Sequence, residues 1–203
     1  MTGIYGGFIV TIVIIALRGR LFCYGNPPQR VVAMLVFLVA LMALDGFNSL
    51  FYDLRIWHPY EPANALRVIT GYGVGIVLAV ALCWLLASSV WNMSSPAIAV
   101  RGFGDLVAPA IGLAGYGVVL WVSPSWLHLP VSIILVLSAW MTVSMLVLVL
   151  VLLSLKLDAH VRKMQHLHVP VAISALLAVS VMMGLSGLRY WAEHTFGISN
   201  ALM

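Results

Sequence analysis

Asp45, Asn48 and Ser49 stand inside a long apolar stretch, Val31 to Tyr52. Spacings of three and four residues put all three on one face of a helix. That face cannot comfortably meet lipid, because a charge inside a span faces a partner or a cavity. The next apolar stretch opens with Asn64, Arg67, Thr70 and Gly71 at the same spacings, which brings a guanidinium to about the level of the Asp45 carboxylate. Two readings follow. In one, Asp45, Asn48, Asn64 and Arg67 line a polar pocket for a small ligand, a quinone or lipid head group, or a proton. In the other, Asp45 and Arg67 form a buried ion pair that pins one helix to the next and fixes their register.

The remaining chemistry-bearing residues exclude more than they suggest. Of six histidines, His58 and His128 fall in loops on one side, His160, His166 and His168 in a loop on the other, and His194 beyond the last apolar run. A haem or chlorophyll ligand at mid-membrane is therefore disfavoured. No carboxylate or cysteine spacing completes a metal site around His160, His166 and His168. With Arg162 and Lys163 beside them they read as a solvated basic loop, suited to anionic head groups or an acidic partner. Cys23 and Cys83 form no C-x-x-C, and no redox role follows. The chain holds no G-x-S-x-G, H-E-x-x-H or G-x-x-x-x-G-K. No metal or other cofactor is expected, and an enzyme is disfavoured.

What positions these residues is dictated by composition. Of 203 residues 63% are hydrophobic and 8% charged, with ten Lys plus Arg, six Asp plus Glu and a formal net charge of +4; the mean hydropathy is +1.10. A water-facing domain carries about 25% charged residues, so the solvent here is lipid. Disordered, disulfide-scaffold and nucleic-acid-binding classes are excluded.

A hydrocarbon core about 30 Å thick needs roughly 20 apolar residues per helix. Six runs qualify, at about 2–17, 31–52, 68–91, 106–122, 131–155 and 169–190. They predict an all-α polytopic membrane protein with one transmembrane domain over 1–203. Asn26 to Pro28, Trp57 to Pro62 and Ser123 to Pro130 break the chain between runs, and Trp57, Trp91, Trp121, Trp126 and Trp191 fall where interfacial aromatics belong. Alternate loops hold Arg18, Arg20, Arg30, Arg101, Lys156, Arg162 and Lys163 on one side against Arg55, Arg67 and Arg189 on the other. Basic residues stay cytoplasmic, which puts both termini outside in a cell inner membrane. The first run is short: either a protein neighbour supplies its missing turn, or the start codon lies upstream of Met1.

Small residues mark close helix contacts in lipid. Gly3 and Gly7 form one G-x-x-x-G, and Gly71 and Gly75 another. Gly112, Gly115 and Gly117, then Gly184 and Gly187, extend the pattern. The two halves of the chain show no convincing repeat, so a carrier built on repeats is not supported.

Three elements in order carry a resemblance: Thr2-Gly3-Ile4-Tyr5-Gly6-Gly7-Phe8, then Leu44-Asp45-Gly46, then Asn64-x-x-Arg67-x-x-Thr70-Gly71. Over residues 2 to about 90 the chain resembles a bacterial and archaeal membrane family, domain-of-unknown-function 2085. Members carry a Cys-x-x-Cys directly before the Thr-Gly-Ile-Tyr element; here Met1 stands at the last of those cysteines. The resemblance implies a compact helical membrane domain with Asp45, Asn64 and Arg67 in its polar core, and implies no activity.

Short loops, no soluble domain, no catalytic motif and glycine-rich faces together predict a non-catalytic integral membrane protein. Its role would be an accessory or stabilising subunit of a larger membrane assembly, with lipids and other membrane subunits as partners. In a bioenergetic assembly, lipids, quinones or pigments would fill its grooves. The competing reading is a small transporter or membrane-embedded enzyme built around Asp45 and Arg67.

Overall fold

The computed structural model describes residues 2–90, 97–122, 125–154 and 168–196, and the described residues are all-helical. The helices are α1 (Thr2–Leu17), α2 (Gln29–Asp53), α3 (Asn64–Val90), α4 (Phe103–Val122), α5 (Ser125–Ser154) and α6 (His168–Phe196). Met1, Trp91 and the basic loop with Lys156, His160, Arg162, Lys163 and His166 lie outside the described residues.

Four helices, α2, α3, α5 and α6, are long and apolar enough to cross a membrane. The other two are shorter: α1 has 16 residues, about 24 Å at 1.5 Å per residue, and the apolar stretch of α4 is Phe103–Val118. α1 ends sharply because Gly19 takes a φ of +65°, which glycine adopts without a Cβ penalty. The N–H of Gly19 then donates to the Ala16 carbonyl at 2.8 Å and that of Arg20 to the Ile15 carbonyl at 3.0 Å, so the last carbonyls are satisfied. The expected breaks at Asn26 to Pro28 and at Trp57 to Pro62 do separate α1 from α2 and α2 from α3, but Pro130 lies inside α5, as Pro109 does inside α4; membrane helices tolerate proline where neighbouring groups satisfy the freed carbonyl.

The centre of the bundle is α1 against α3. Phe8, Ile12 and Ile15 of α1 and Tyr72, Ile76, Ala79, Val80 and Cys83 of α3 belong to one buried cluster. Glycine makes the crossing this close. A Cβ on Gly7 would run into the backbone of Tyr72, and one on Gly75 into the carbonyl of Ile4 and the N–H of Phe8. Gly3 and Gly71 meet across the same seam. α4 and α5 close over this pair and fasten to it by hydroxyls on backbone carbonyls. Tyr72 donates to Pro109 at 2.9 Å, Tyr116 to Thr2 at 2.9 Å and Ser138 to Tyr5 at 2.8 Å. α2 packs on α3, and α6 packs on α5; neither has a second extensive neighbour among the described residues.

These contacts set two ends. The starts of α1, α3 and α5 share one end with the last turns of α2, α4 and α6, and it carries Asp45 and Arg67. The opposite end carries Arg18, Arg20, Arg30, Arg101 and Asp105.

The seam gives the first prediction. Gly7→Ala or Gly75→Ala must push two backbones apart, so either should lower stability by about 1–3 kcal/mol. Gly187→Ala meets nothing within 4 Å among the described residues and should stay within about 0.5 kcal/mol of wild type. Thermal unfolding midpoints in detergent separate the two cases.

Candidate functional site

Asp45 lies two turns before the end of α2 and is 4% exposed. Such a carboxylate must find donors or stay costly. It finds them in the loop that follows its own helix. Tyr60 Oη donates to Asp45 Oδ1 at 2.7 Å, and Asn48 Nδ2 donates to the Tyr60 carbonyl at 2.9 Å. The two polar residues of the α2 face therefore clamp one loop residue from both sides. The loop reaches them by turning back at Arg55, whose φ of +56° is the one left-handed value among the described non-glycine residues. There the Arg55 N–H donates to the Tyr52 carbonyl and the Ile56 N–H to the Phe51 carbonyl, the same reversal that ends α1.

The expected pair of Asp45 with Arg67 does not form. Ion pairs form instead at the opposite end, between Arg18 and Asp105 and between Arg20 and Asp105. Arg67 is exposed and one turn before Thr70 on α3, where its guanidinium borders the same cavity as Asp45. The reason is reach from a different element: a phenol brought back by the loop takes Oδ1 first. The second oxygen, Oδ2, is poorly served. Thr70 Oγ1 is 3.4 Å from it but only 3.0 Å from the Leu66 carbonyl, and one hydroxyl proton serves the shorter contact.

A cavity of about 230 Å³ opens at this point between the starts of α1 and α3 and the last turns of α2. Its polar wall is Asp45, Ser49, Arg67 and Thr70; Gly3 and Gly71 complete the floor. The Ser49 hydroxyl is buried with no hydrogen-bond partner. An under-served carboxylate oxygen, a free hydroxyl and an unpaired guanidinium thus converge on one space. They offer a small polar guest an acceptor, a hydroxyl and a cation. Asn64 is not part of it: at the first position of α3 it borders a separate groove with Val68, Leu113 and Gly117.

Sequence reasoning missed Tyr60, which it passed over as part of an interfacial break. The available signal was chemical. A buried carboxylate needs a donor, and Tyr60 stands between Pro59 and Pro62 in the adjoining loop, where proline limits how the chain wanders. At the other end it gave Asp105 little weight. Asp105 accepts from Arg18 Nη1 at 2.6 Å, Arg20 Nη1 at 3.0 Å and the Arg101 backbone N–H at 2.8 Å, tying the end of α1 to the start of α4. No group of His, Cys, Asp and Glu among the described residues is arranged to hold a metal ion. His58 Nδ1 pairs with the Ile56 carbonyl at 3.1 Å, its ring edge-on to Tyr52. Cys23 and Cys83 are both buried and free.

Residues 1–81 match the family model described as a predicted membrane protein, domain-of-unknown-function 2085. No curated protein and no solved structure matches the chain. The matched stretch contains α1, α2 and α3 to beyond Gly75, hence the glycine seam, the Asp45 clamp and every residue bordering the cavity. α4, α5 and α6 lie beyond it.

Two outcomes follow from the clamp. Asp45→Ala removes the acceptor that holds the Tyr60 loop and should lower the unfolding midpoint, whereas Arg67→Ala should stay within about 0.5 kcal/mol; a buried ion pair would make both costly, so equal losses in thermal unfolding would restore it. The hydrogen bond to Asp45, with smaller contributions from burial and the carboxylate's charge, raises the Tyr60 pKa above its ordinary value. The folded state holds that proton more tightly, so the clamp's contribution is intact below the ordinary tyrosine range. It fades as pH rises through the raised value. Tyrosinate absorbance of wild type against Tyr60→Phe should show one phenol titrating late, and its absence from the difference would refute the clamp.

Proposed function

We propose that this chain is a non-catalytic, multi-pass membrane protein that serves as an accessory subunit of a larger membrane assembly, joined to it through α6. In this reading all six helices are embedded, and the arginine-bearing end faces the cytoplasm of a cell inner membrane with both termini outside. The weight of basic residues at that end supports the orientation.

The observation that carries the subunit reading is the placement of small residues on α6. Ser174 and Ala178 are buried on the α5 side. Ser180, Gly184 and Gly187, spaced by four and three, are exposed, and a Cβ on either glycine meets nothing within 4 Å among the described residues. Glycine inside a helix costs about 0.5–1 kcal/mol relative to alanine, and close approach of another helix offsets that cost in lipid. At Gly7 and Gly75 the approaching helix belongs to this chain. At Gly184 and Gly187 no helix among the described residues approaches, and in this reading a helix of another subunit does. Only 11% of the apolar window of α6 is buried, against 50% in α3.

A specific observation favours a second reading, a membrane protein that binds a small polar ligand: Arg67, Ser49 and Asp45 Oδ2 all face the cavity with unmet hydrogen-bonding capacity. A guest there would pair an anionic group with Arg67 and donate to Asp45.

Gently solubilised native membranes examined by native mass spectrometry should yield the chain in fixed stoichiometry with other subunits. Gly184→Leu with Gly187→Leu should release it, with the unfolding midpoint of the purified chain unchanged. A solitary 22.0 kDa species from wild-type membranes would sink the subunit reading. If Arg67→Gln then abolished a growth phenotype or a ligand-induced rise in midpoint, the second reading would replace it.

A further inference from the structure

The end opposite Asp45 carries an unbalanced charge. Among the described residues Asp105 is its only carboxylate, and Arg18 and Arg20 already occupy both of its oxygens. Arg30 and Arg101 have no carboxylate partner there. Both border one open cleft of about 500 Å³, together with Gln29, Gly102 and Phe103. Two arginines on the border of one cleft give it a positive character, and the planar fork of donors on a guanidinium suits a phosphate.

The cleft's other walls say which kind of phosphate. Pro28 and Val31 form its apolar side, and Phe103 stands half-exposed at its rim. Leading away from it along α2, Val32 and Val36 are exposed one turn apart, with Phe37 beside them. A soluble anion has no use for that surface. A phospholipid does: its headgroup would sit on the arginines and an acyl chain would run down α2. Residues at the starts of both α2 and α4 border the cleft, and α2 has no side-chain cap, so the positive ends of two helix dipoles lie near it.

We propose that the cleft between the starts of α2 and α4 binds the phosphate of an anionic phospholipid, held by Arg30 and Arg101. The assignment is independent of the subunit reading and of the cavity at Asp45. It rests on two arginines without a carboxylate partner among the described residues, the cleft both border, and the exposed apolar residues Val32, Val36 and Phe37 further along α2.

The test uses the full chain purified in neutral detergent and titrated with short-chain phosphatidylglycerol, then phosphatidylcholine, followed by native mass spectrometry. One anionic lipid should stay bound in preference to the zwitterionic one. Arg30→Gln and Arg101→Gln should each weaken retention about fivefold and together about thirtyfold, taking a basic residue near an anionic headgroup at its usual worth. Arg67→Gln, at the other end, should retain the lipid fully. Inorganic phosphate at millimolar concentration should not displace it. Equal retention of both lipids, displacement by free phosphate, or retention unchanged in the double variant would each overturn the proposal. Should the double variant fold poorly, as read by its unfolding midpoint, the single Arg101→Gln decides.

Discussion

Two backbones pressed together at glycine hold this molecule, and most of its other features answer to that contact. Lipid gives apolar helices no reason to leave it, so association has to come from close packing and from hydrogen bonds across helices. Gly7 and Gly75 let α1 and α3 approach until carbonyls and N–H groups occupy space that any side chain would need. α1, only 16 residues long, would sit poorly in a bilayer alone. Packed against α3, α4 and α5, it buries Phe8, Ile12 and Ile15 in the central cluster and leaves only one side, with Val13, exposed. The three hydroxyl-to-carbonyl bonds around it then fix the height at which α4 and α5 lie. Each spends a side-chain donor on a carbonyl already used by its helix, which costs little and adds direction to an otherwise greasy contact.

Charge is sorted to the two ends, and the ends solve the burial problem differently. Asp105 lies at the start of α4, where exposed Arg18 and half-buried Arg20 reach it, so ionic pairing is cheap and only modestly stabilising. Asp45 lies deeper and takes a neutral phenol instead. A phenol brings a proton without bringing a second charge that would also need desolvation. That choice leaves Arg67 free, and a free guanidinium beside a half-satisfied carboxylate is what turns a packing defect into a polar cavity.

Much of this was legible in the residues before any coordinates. Hydropathy marked six helices, and Leu17 as the last residue of α1 followed from Arg18-Gly19-Arg20 closing the run. The helical spacing of Asp45, Asn48 and Ser49 put them on one face, because that inference needs only the pitch of a helix. What could not be read was anything decided by a loop's path or by which helix lies next to which. Tyr60 reaches Asp45 because Arg55 adopts a left-handed turn, and an arginine in sequence gives no hint of that. Nor does a glycine pair announce its mate: Gly3 and Gly7 name a face, and only the fold joins it to Gly71 and Gly75. Pro130 misled for the opposite reason, since a membrane helix tolerates the proline that was expected to interrupt it.

The centre and the periphery of the bundle are built on different principles, and the difference bears on evolution of the chain as well as its assembly. In α1 and α3 glycines are spent inside the molecule, and the stretch matching the family model ends within α3. Beyond it Gly184 and Gly187 of α6 meet nothing within 4 Å among the described residues, where α6 packs on α5. A helix that needed only to be soluble in lipid would lose nothing by carrying alanine or leucine at 184 and 187, and would gain helix propensity from either. A second molecule pressing on that face, as α3 presses on α1, is what the proposed subunit role would supply there. The stretch that matches the family model holds the glycine seam and the polar cavity.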